Sequence, residues 1–389
     1  MQYAARVQRT ISEGSSGWLV HVKAKEMAAA GEDVILLTIG DPDFDTPKPI
    51  VDSLVDSIRG GRTHYTGLMG EAPLREAVAA FHTKLTSQNV TMENVGIMPG
   101  AQGGLFAAAM CTLSPGDEVI VMDPVYSTYG YFCGAAGATI VPVPLRVERN
   151  FLVDPDEIEA AVTPRTRAII LNTPHNPTGA IVHKAEMEAI GAICQKHDLW
   201  LIGDEVYGSI TYDHPHVSAA SLPHFDERTI TVSSLSKSHS MTGWRLGWVV
   251  GPTELMGHVG NLSAGMVFGM PGFIQDAATV ALTDALGEVD IVRERYRTRR
   301  DMVIEALSDA PGISVNRPEA GLYMLVDVRA SGLSATDFGF ALLEAEKVAM
   351  LPGTAFGPNL AGHMRLSLTA PDDQLAEACR RIARFASNR

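Results

Sequence analysis

The runs AIILN (168–172), WLIGD (200–204) and TITVSS (229–234) decide the fold, because each is apolar or β-branched and each delivers a polar group where it ends. Asn172 follows AIIL, Asp204 follows WLIG and Ser233 follows TITV. Short apolar runs bounded by polar segments read as buried strands. The alternation with helical patterns extends outward, from NVGIM (94–98) through EVIVM (118–122) and ATIVPVPL (138–145) to LGWVVG (246–251). An α/β chain is expected, with a mostly parallel sheet sandwiched by helices. Ligands of open α/β sheets bind along the carboxyl edge of the strands, so three strands bring Asn172, Asp204 and Ser233 to one crevice.

A chain of 389 residues exceeds the size at which a single hydrophobic core stops growing. After about residue 285 the pattern changes to a long charged helix, EVDIVRERYRTRRDMVIEALS, then a strand GLYMLVDV, a helix capped by Ser334 and Asp337, and a strand MRLSLT. Residues 46–285 are therefore expected to form a large domain and 286–389 a smaller α+β domain, with 1–45 packing against the latter.

The formal net charge of −14 argues against nucleic acid or anionic membranes as partners, which need basic patches. The four cysteines show no C-x-x-C spacing, which fits a reducing, cytoplasmic setting. The first twenty residues lack an apolar core segment, and no run approaches the roughly 18 apolar residues of a membrane span. H-E-x-x-H is absent, and no metal is expected.

The stretch SLSKSHSMTGWR (234–245) sets Lys237 between two hydroxyls, with Arg245 eight positions on. A lysine that is partly desolvated becomes a neutral nucleophile able to form a Schiff base with an aldehyde. Ser234 and Ser236 can donate to a phosphate, and the Arg245 fork suits phosphate oxygens. Alone, such a lysine also reads as merely solvated. GAQGG (100–104) stands between an apolar run and a helical pattern, where amides can cradle a phosphate or simply make a turn. Neither G-x-G-x-x-G nor G-x-x-x-x-G-K-[ST] occurs, which discounts a nicotinamide-dependent oxidoreductase.

Asp204 is costly to bury as a carboxylate unless a cation or donor meets it; a protonated pyridine nitrogen would serve, and so would an ordinary helix cap. Tyr207 and Asn176 can hydrogen-bond a ring oxygen, although N-P is also plain turn chemistry. Tyr126 can stack on a planar ring or pack in the core. In MRLSLT, alternation sets Arg365 and Ser367 opposite Met364, Leu366 and Leu368, so Arg365 either faces a cleft or is solvated. Together these parts describe a pyridoxal 5'-phosphate site.

Over nearly its whole length the sequence resembles the class I aminotransferases, fold-type I pyridoxal phosphate enzymes of the class I/II family. The resemblance rests on GDPDFDTP (40–47), HYTGLMGEAPLREAVA (64–79), GAQGG, DPVYSTY, NTPHNPTG, DEVYG, SLSKSHSMTGWRLGW, GTAFG (353–357) and MRLSL. It implies that Lys237 bonds the cofactor, Asp204 pairs with the ring nitrogen, and Asn176 and Tyr207 hold the phenolic oxygen. It further implies that Tyr126 stacks on the ring and that Gln102, Gly103, Ser234, Ser236 and Arg245 hold the phosphate. Arg365 would bind the substrate carboxylate, with Gly40 and Asn176 beside it, and Tyr65 would reach the neighbouring subunit's phosphate in a homodimer.

The implied activity is ping-pong transfer of an amino group from an L-amino acid to a 2-oxo acid such as pyruvate or 2-oxoglutarate. A pyridoxal-dependent β-lyase is the rival within the fold. SLSKSHSMTGWRLGWVVGP, HDLW and AFGPNLAGHMRL resemble most the arginine:pyruvate aminotransferases, which would need a carboxylate for the cationic side chain; Glu13 is a candidate. The segment GMVFGMPGF (265–273), expected near the partner's site, carries no Arg or Lys, which speaks against dicarboxylate specificity.

Overall fold

The apolar runs of the sequence become two sheets in a computed structural model that describes residues 2–4, 6–10, 17–223, 225, 227–283 and 287–388. The expected division between residues 285 and 286, and Glu13, lie outside the described residues. Twelve strands occur among those described: β1 (Ile35–Leu37), β2 (Val95–Met98), β3 (Glu118–Asp123), β4 (Thr139–Pro144), β5 (Thr166–Asn172), β6 (Trp200–Asp204), β7 (Thr229–Ser234), β8 (Gly247–Val250), β9 (Ser314–Val315), β10 (Tyr323–Asp327), β11 (Val348–Pro352) and β12 (His363–Ser367).

The larger sheet has the order β2-β8-β7-β6-β5-β3-β4. Its neighbours from β4 to β7 run parallel, and β8 is antiparallel to both β7 and β2. Parallel strands covered on both faces must be apolar on both. In β5, Ile169 and Leu171 pack with Met187 and Ile190 of the helix Lys184–His197. Ala168 and Ile170 turn the other way, onto Leu105 and Ala108 of the helix Gly100–Thr112. Burying each of these branched side chains stabilises by about 2 kcal/mol.

The second sheet, β1-β11-β12-β10-β9, is antiparallel except for β1 and β11. One face carries Leu322, Met324 and Val326 against Tyr296, Val303 and Leu307 of the helix Glu288–Leu307. Leu325 and Leu351 join the apolar cluster of the first sheet instead. That contact seats β12, and hence Arg365, next to the carboxyl edge of β5. The helix Ala335–Glu346 begins at Ser334, whose Oγ accepts from the Asp337 amide at 3.1 Å, as its sequence pattern anticipates. β1 pairs with β11, so part of the N-terminal segment belongs to the second sheet.

Residues 38–43 connect β1 to the first unit and bond to both. The Ile39 carbonyl accepts from Thr369 Oγ1 at 3.0 Å. Asp41 Oδ1 accepts from Thr242 Oγ1 at 2.7 Å. Asp43 holds the buried guanidinium of Arg299 through two hydrogen bonds, at 2.7 and 2.8 Å. A buried arginine left without such partners would be strongly destabilising.

Candidate active site

β5, β6 and β7 lie side by side, with Asn172 paired to Asp204 and Asp204 to Val232. The strand-end groups are thereby brought into one row, as the sequence pattern requires. Asn172 and Asp204 open onto a cavity of about 170 Å³ whose walls also include Gln102, Tyr126, Asn176, Tyr207, Ser234, Ser236, Lys237 and Arg245; Ser233, expected there too, does not line it and donates instead to the Glu205 carbonyl at 3.3 Å. Most of the sequence candidates thus converge on one space. A larger depression of about 420 Å³, between Phe151, Asn316 and His363, contains none of them.

Asp204 is buried at the end of β6. Its Oδ2 accepts from the Tyr129 hydroxyl at 2.7 Å, while Oδ1 is buried without a partner among the described residues. Burial pushes its carboxyl up to about 6, against the opposing hydrogen bonds from Tyr129 and the Val206 amide. A carboxylate in this position calls for a cation or a strong donor at Oδ1.

Lys237, half-buried on the turn after β7, donates from Nζ to the Gly40 carbonyl at 2.5 Å. Tyr126 meets Tyr129 edge-on at 5.6 Å, and burial pushes its phenol up to about 12. Gln102 Nε2 donates to Thr128 Oγ1 at 2.9 Å. Arg245 takes a left-handed backbone with φ of 51° and donates from Nη1 to the Thr242 carbonyl at 2.6 Å. A Cβ at Gly100 would stand 2.6 Å from Arg245 Nη2, so glycine at the helix start leaves room for the guanidinium. Ser234, Ser236, Gln102 and Arg245 thus rim one end of the cavity with donors beside a helix N-terminus, the arrangement that suits an anion.

At the other end Arg365 is 3% exposed, which excludes a solvated arginine. Its Nη2 donates to the Thr38 carbonyl at 2.5 Å and its Nη1 to Asn176 Oδ1 at 3.1 Å. Nε is buried and has no partner among the described residues. A guanidinium has five N–H donors, so donors remain for a ligand carboxylate. Because Asn176 Oδ1 faces Arg365, its amide nitrogen is left for the cavity. The Asn176 main-chain amide is fixed in turn by Asn172 Oδ1 at 2.8 Å, and Asn172 Nδ2 by the Asp204 carbonyl at 3.1 Å.

A family model described as aminotransferase class I and II matches residues 32–382. The chain belongs to this family. It is 49% identical, over 387 residues covering 100% of this chain and 98% of the relative, to arginine--pyruvate transaminase AruH of Pseudomonas aeruginosa. It is 37% identical to an aspartate aminotransferase of Pyrococcus horikoshii, with 92% of each chain covered. Among solved structures, Thermus thermophilus aspartate aminotransferase with maleate superposes with a TM-score of 0.93 at 34% identity, over 99% of this chain and 100% of that one.

In this aminotransferase Arg365 and Gly40 lie behind the cavity wall, bonded to Asn176 and Lys237 that line it, and two further sequence candidates stand apart from the group. Gly103 packs on Pro99 instead of lining the cavity wall; a Cβ added there would stand 2.7 Å from the proline ring. Tyr65 is 88% exposed and meets Phe268 edge-on at 5.2 Å. These two rings line a separate depression formed by residues 62–66 and 267–273. Conversely, sequence reasoning missed Tyr129, Thr38 and Tyr323. Tyr129 follows Tyr126 by three residues, and that spacing was its only signal; Thr38 acts through its main chain and gave none.

Proposed function

We propose that the chain is a pyridoxal 5'-phosphate-dependent transaminase, moving an amino group from an L-amino acid to a 2-oxo acid by a ping-pong route. The observation that carries the cofactor is Asp204 Oδ1, a buried carboxylate oxygen without a partner in the cavity that also holds Lys237. A protonated pyridine nitrogen fits that oxygen, and the donor rim of Ser234, Ser236, Gln102 and Arg245 fits a phosphate. When bound, pyridoxal 5'-phosphate supplies an aldehyde that takes up amines and a protonated ring that draws electrons from the substrate α-carbon.

The chain's own residues do the rest. Lys237 Nζ would hold the cofactor covalently and, when free, would serve as the base that takes the proton from the substrate α-carbon. Asp204 keeps the ring nitrogen protonated. Tyr207 and the Asn176 amide nitrogen would hold the ring's phenolic oxygen, and Tyr126 would pack against the ring. Arg365 grips the α-carboxylate, with Gly40 beside it leaving space. Holding the carboxylate fixes which α-carbon bond is aligned for cleavage, which favours loss of the proton over loss of carbon dioxide.

We further place Tyr65 at the phosphate of a neighbouring copy in a cytoplasmic homodimer; its exposure within one chain supports this. Arginine as amino donor and pyruvate as acceptor rest on the 49% identical relative. The test is a panel of amino donors with pyruvate and 2-oxoglutarate, followed by the visible spectrum of the purified protein. A lysine-dependent visible band, bleached by arginine and restored by pyruvate, is expected. A colourless protein, or Lys237→Ala retaining both band and turnover, overturns the cofactor reading; bleaching by alanine or phenylalanine but not arginine overturns the donor.

A further inference from the structure

Tyr323 lies at the start of β10, 5% exposed. Arg365 pairs across the strands with Leu325, so Tyr323, two residues from Leu325 and on the same face, is its diagonal neighbour. The Arg365 guanidinium carbon stands 4.1 Å from the centre of the Tyr323 ring, closer than to Phe356 at 4.8 Å. The Tyr323 hydroxyl meets two other parts of the site. The Tyr207 hydroxyl donates to it at 3.5 Å, the outer limit of a hydrogen bond. The Tyr323 hydroxyl also covers Gly40, where an added Cβ would fall 1.8 Å from its oxygen.

We propose that Tyr323 is a further positioning residue of the transamination site: its ring carries the Arg365 guanidinium, and its hydroxyl, which accepts from Tyr207 in this structure, turns to donate to Tyr207 once the Tyr207 proton is engaged by the cofactor. This rests on the roles proposed above for Arg365 and Tyr207. A guanidinium over an aromatic face is held in orientation by the ring quadrupole as well as by contact. That matters here because Arg365 is fixed by only two hydrogen bonds, and its remaining donors must point at the ligand. The hydroxyl pair follows from donor arithmetic. Tyr207 has one proton to give; once that proton goes to the cofactor's phenolic oxygen, the Tyr207 oxygen is an acceptor and Tyr323 is the neighbouring phenol. Donation from Tyr323 then strengthens the bond Tyr207 makes beyond it. Burial works to push the Tyr323 phenol up, yet Arg365, Lys237 and the hydrogen bond from Tyr207 hold it below the usual tyrosine range.

Tyr323→Phe keeps the ring and removes the hydroxyl; Tyr323→Leu removes both, with Tyr323→Met as the substitute if the leucine variant does not fold. On the cofactor-loaded enzyme, propionate binding measured by calorimetry reads the ring, and the pH midpoint of the visible band reads the hydroxyl. Tyr323→Phe is expected to bind propionate within about twofold of wild type, and Tyr323→Leu about five- to tenfold more weakly. Both should raise the pH midpoint by about half a unit, because a phenolic oxygen that receives less donation holds its neighbouring proton more tightly. Wild-type propionate affinity in Tyr323→Leu, or an unmoved midpoint in Tyr323→Phe, overturns the proposal. Arg365→Leu is the control. If it binds propionate as wild type does, the role of Arg365 itself is wrong; if it loses binding while Tyr323→Leu keeps it, the role of Tyr323 alone falls.

Discussion

Arg365 Nη1 donates to Asn176 Oδ1 at 3.1 Å, so the group we propose for the substrate carboxylate also decides which way the Asn176 amide faces. The two residues lie 189 positions apart, Arg365 on the second sheet and Asn176 beyond the end of β5 in the first. Asn176→Ala should therefore affect both ends of the site, lowering kcat/KM by about ten- to a hundredfold, as expected for loss of a hydrogen bond to a charged group. Arg365→Lys, which keeps charge but not the fork, should raise KM for the amino acid about tenfold or more. Steady-state kinetics with a shared amino donor checks both; an unchanged KM in Arg365→Lys would remove Arg365 from the carboxylate site.

Gly40→Ala should be severe. The new methyl would fall 1.8 Å from the Tyr323 hydroxyl, forcing that ring away from Arg365 or the Gly40 carbonyl away from Lys237. We expect kcat/KM to fall by at least about a hundredfold, as for a displacement of about 1 Å in a positioned site, with melting lowered by a few degrees. Kinetics alongside thermal unfolding separates the two effects.

The raised carboxyl of Asp204 ties stability to pH in the cofactor-free protein. Its folded value, about 6, lies above the ordinary carboxylate value, so the folded state binds the proton more tightly than the unfolded one. Stability from this group is full below about pH 4 and is lost as pH rises through about 6, a penalty of about 3 kcal/mol at neutral pH. Asp204→Asn should make the cofactor-free protein more stable at pH 7.5 while abolishing transamination. Urea unfolding at pH 5 and 7.5 reads the difference, and a variant less stable than wild type at pH 7.5 would contradict it.

Glu205, adjacent in sequence, is buried under different rules. Burial alone would push its carboxyl up, but His216 Nε2 at 3.0 Å and Ser218 Oγ at 2.7 Å hold it below the usual range. His216→Ala leaves that carboxylate short of its counter-group and should cost about 3–5 kcal/mol in denaturant unfolding.

Mixing two defective forms tests the shared site. If Tyr65 serves the neighbouring copy, Tyr65→Ala and Lys237→Ala chains refolded together yield hybrids with one intact site, and about a quarter of wild-type activity per chain returns. No recovery would place Tyr65 outside the partner's site.

The strands were legible because a sheet buried on both faces demands unbroken apolar runs, as in β5 and β6, and the polar residues closing those runs marked the carboxyl edge. That Lys237, Asp204 and Arg245 share one cavity was legible because an amine, a carboxylate and a guanidinium bordering adjacent apolar runs point to one edge. Tyr323 was not, since an aromatic residue in the run GLYMLVDV reads as core until its strand is laid beside β12. Nor could alternation in MRLSLT decide between a buried and a solvated Arg365. That depends on Tyr323, Phe356 and Asn176, which only the packing of one sheet on the other brings together.

Two of the contacts that hold charged side chains at this site, the carbonyls of Thr38 and Gly40, belong to the main chain. Side-chain mutagenesis cannot delete them: an alanine at position 38 would keep the oxygen that anchors Arg365. Their contribution becomes measurable only by altering the backbone itself, for instance by replacing the peptide link after residue 38 or 40 with an ester, whose carbonyl is a weaker acceptor. In this protein part of the machinery for handling charge is written in the path of the chain, where a substitution scan would pass over it in silence.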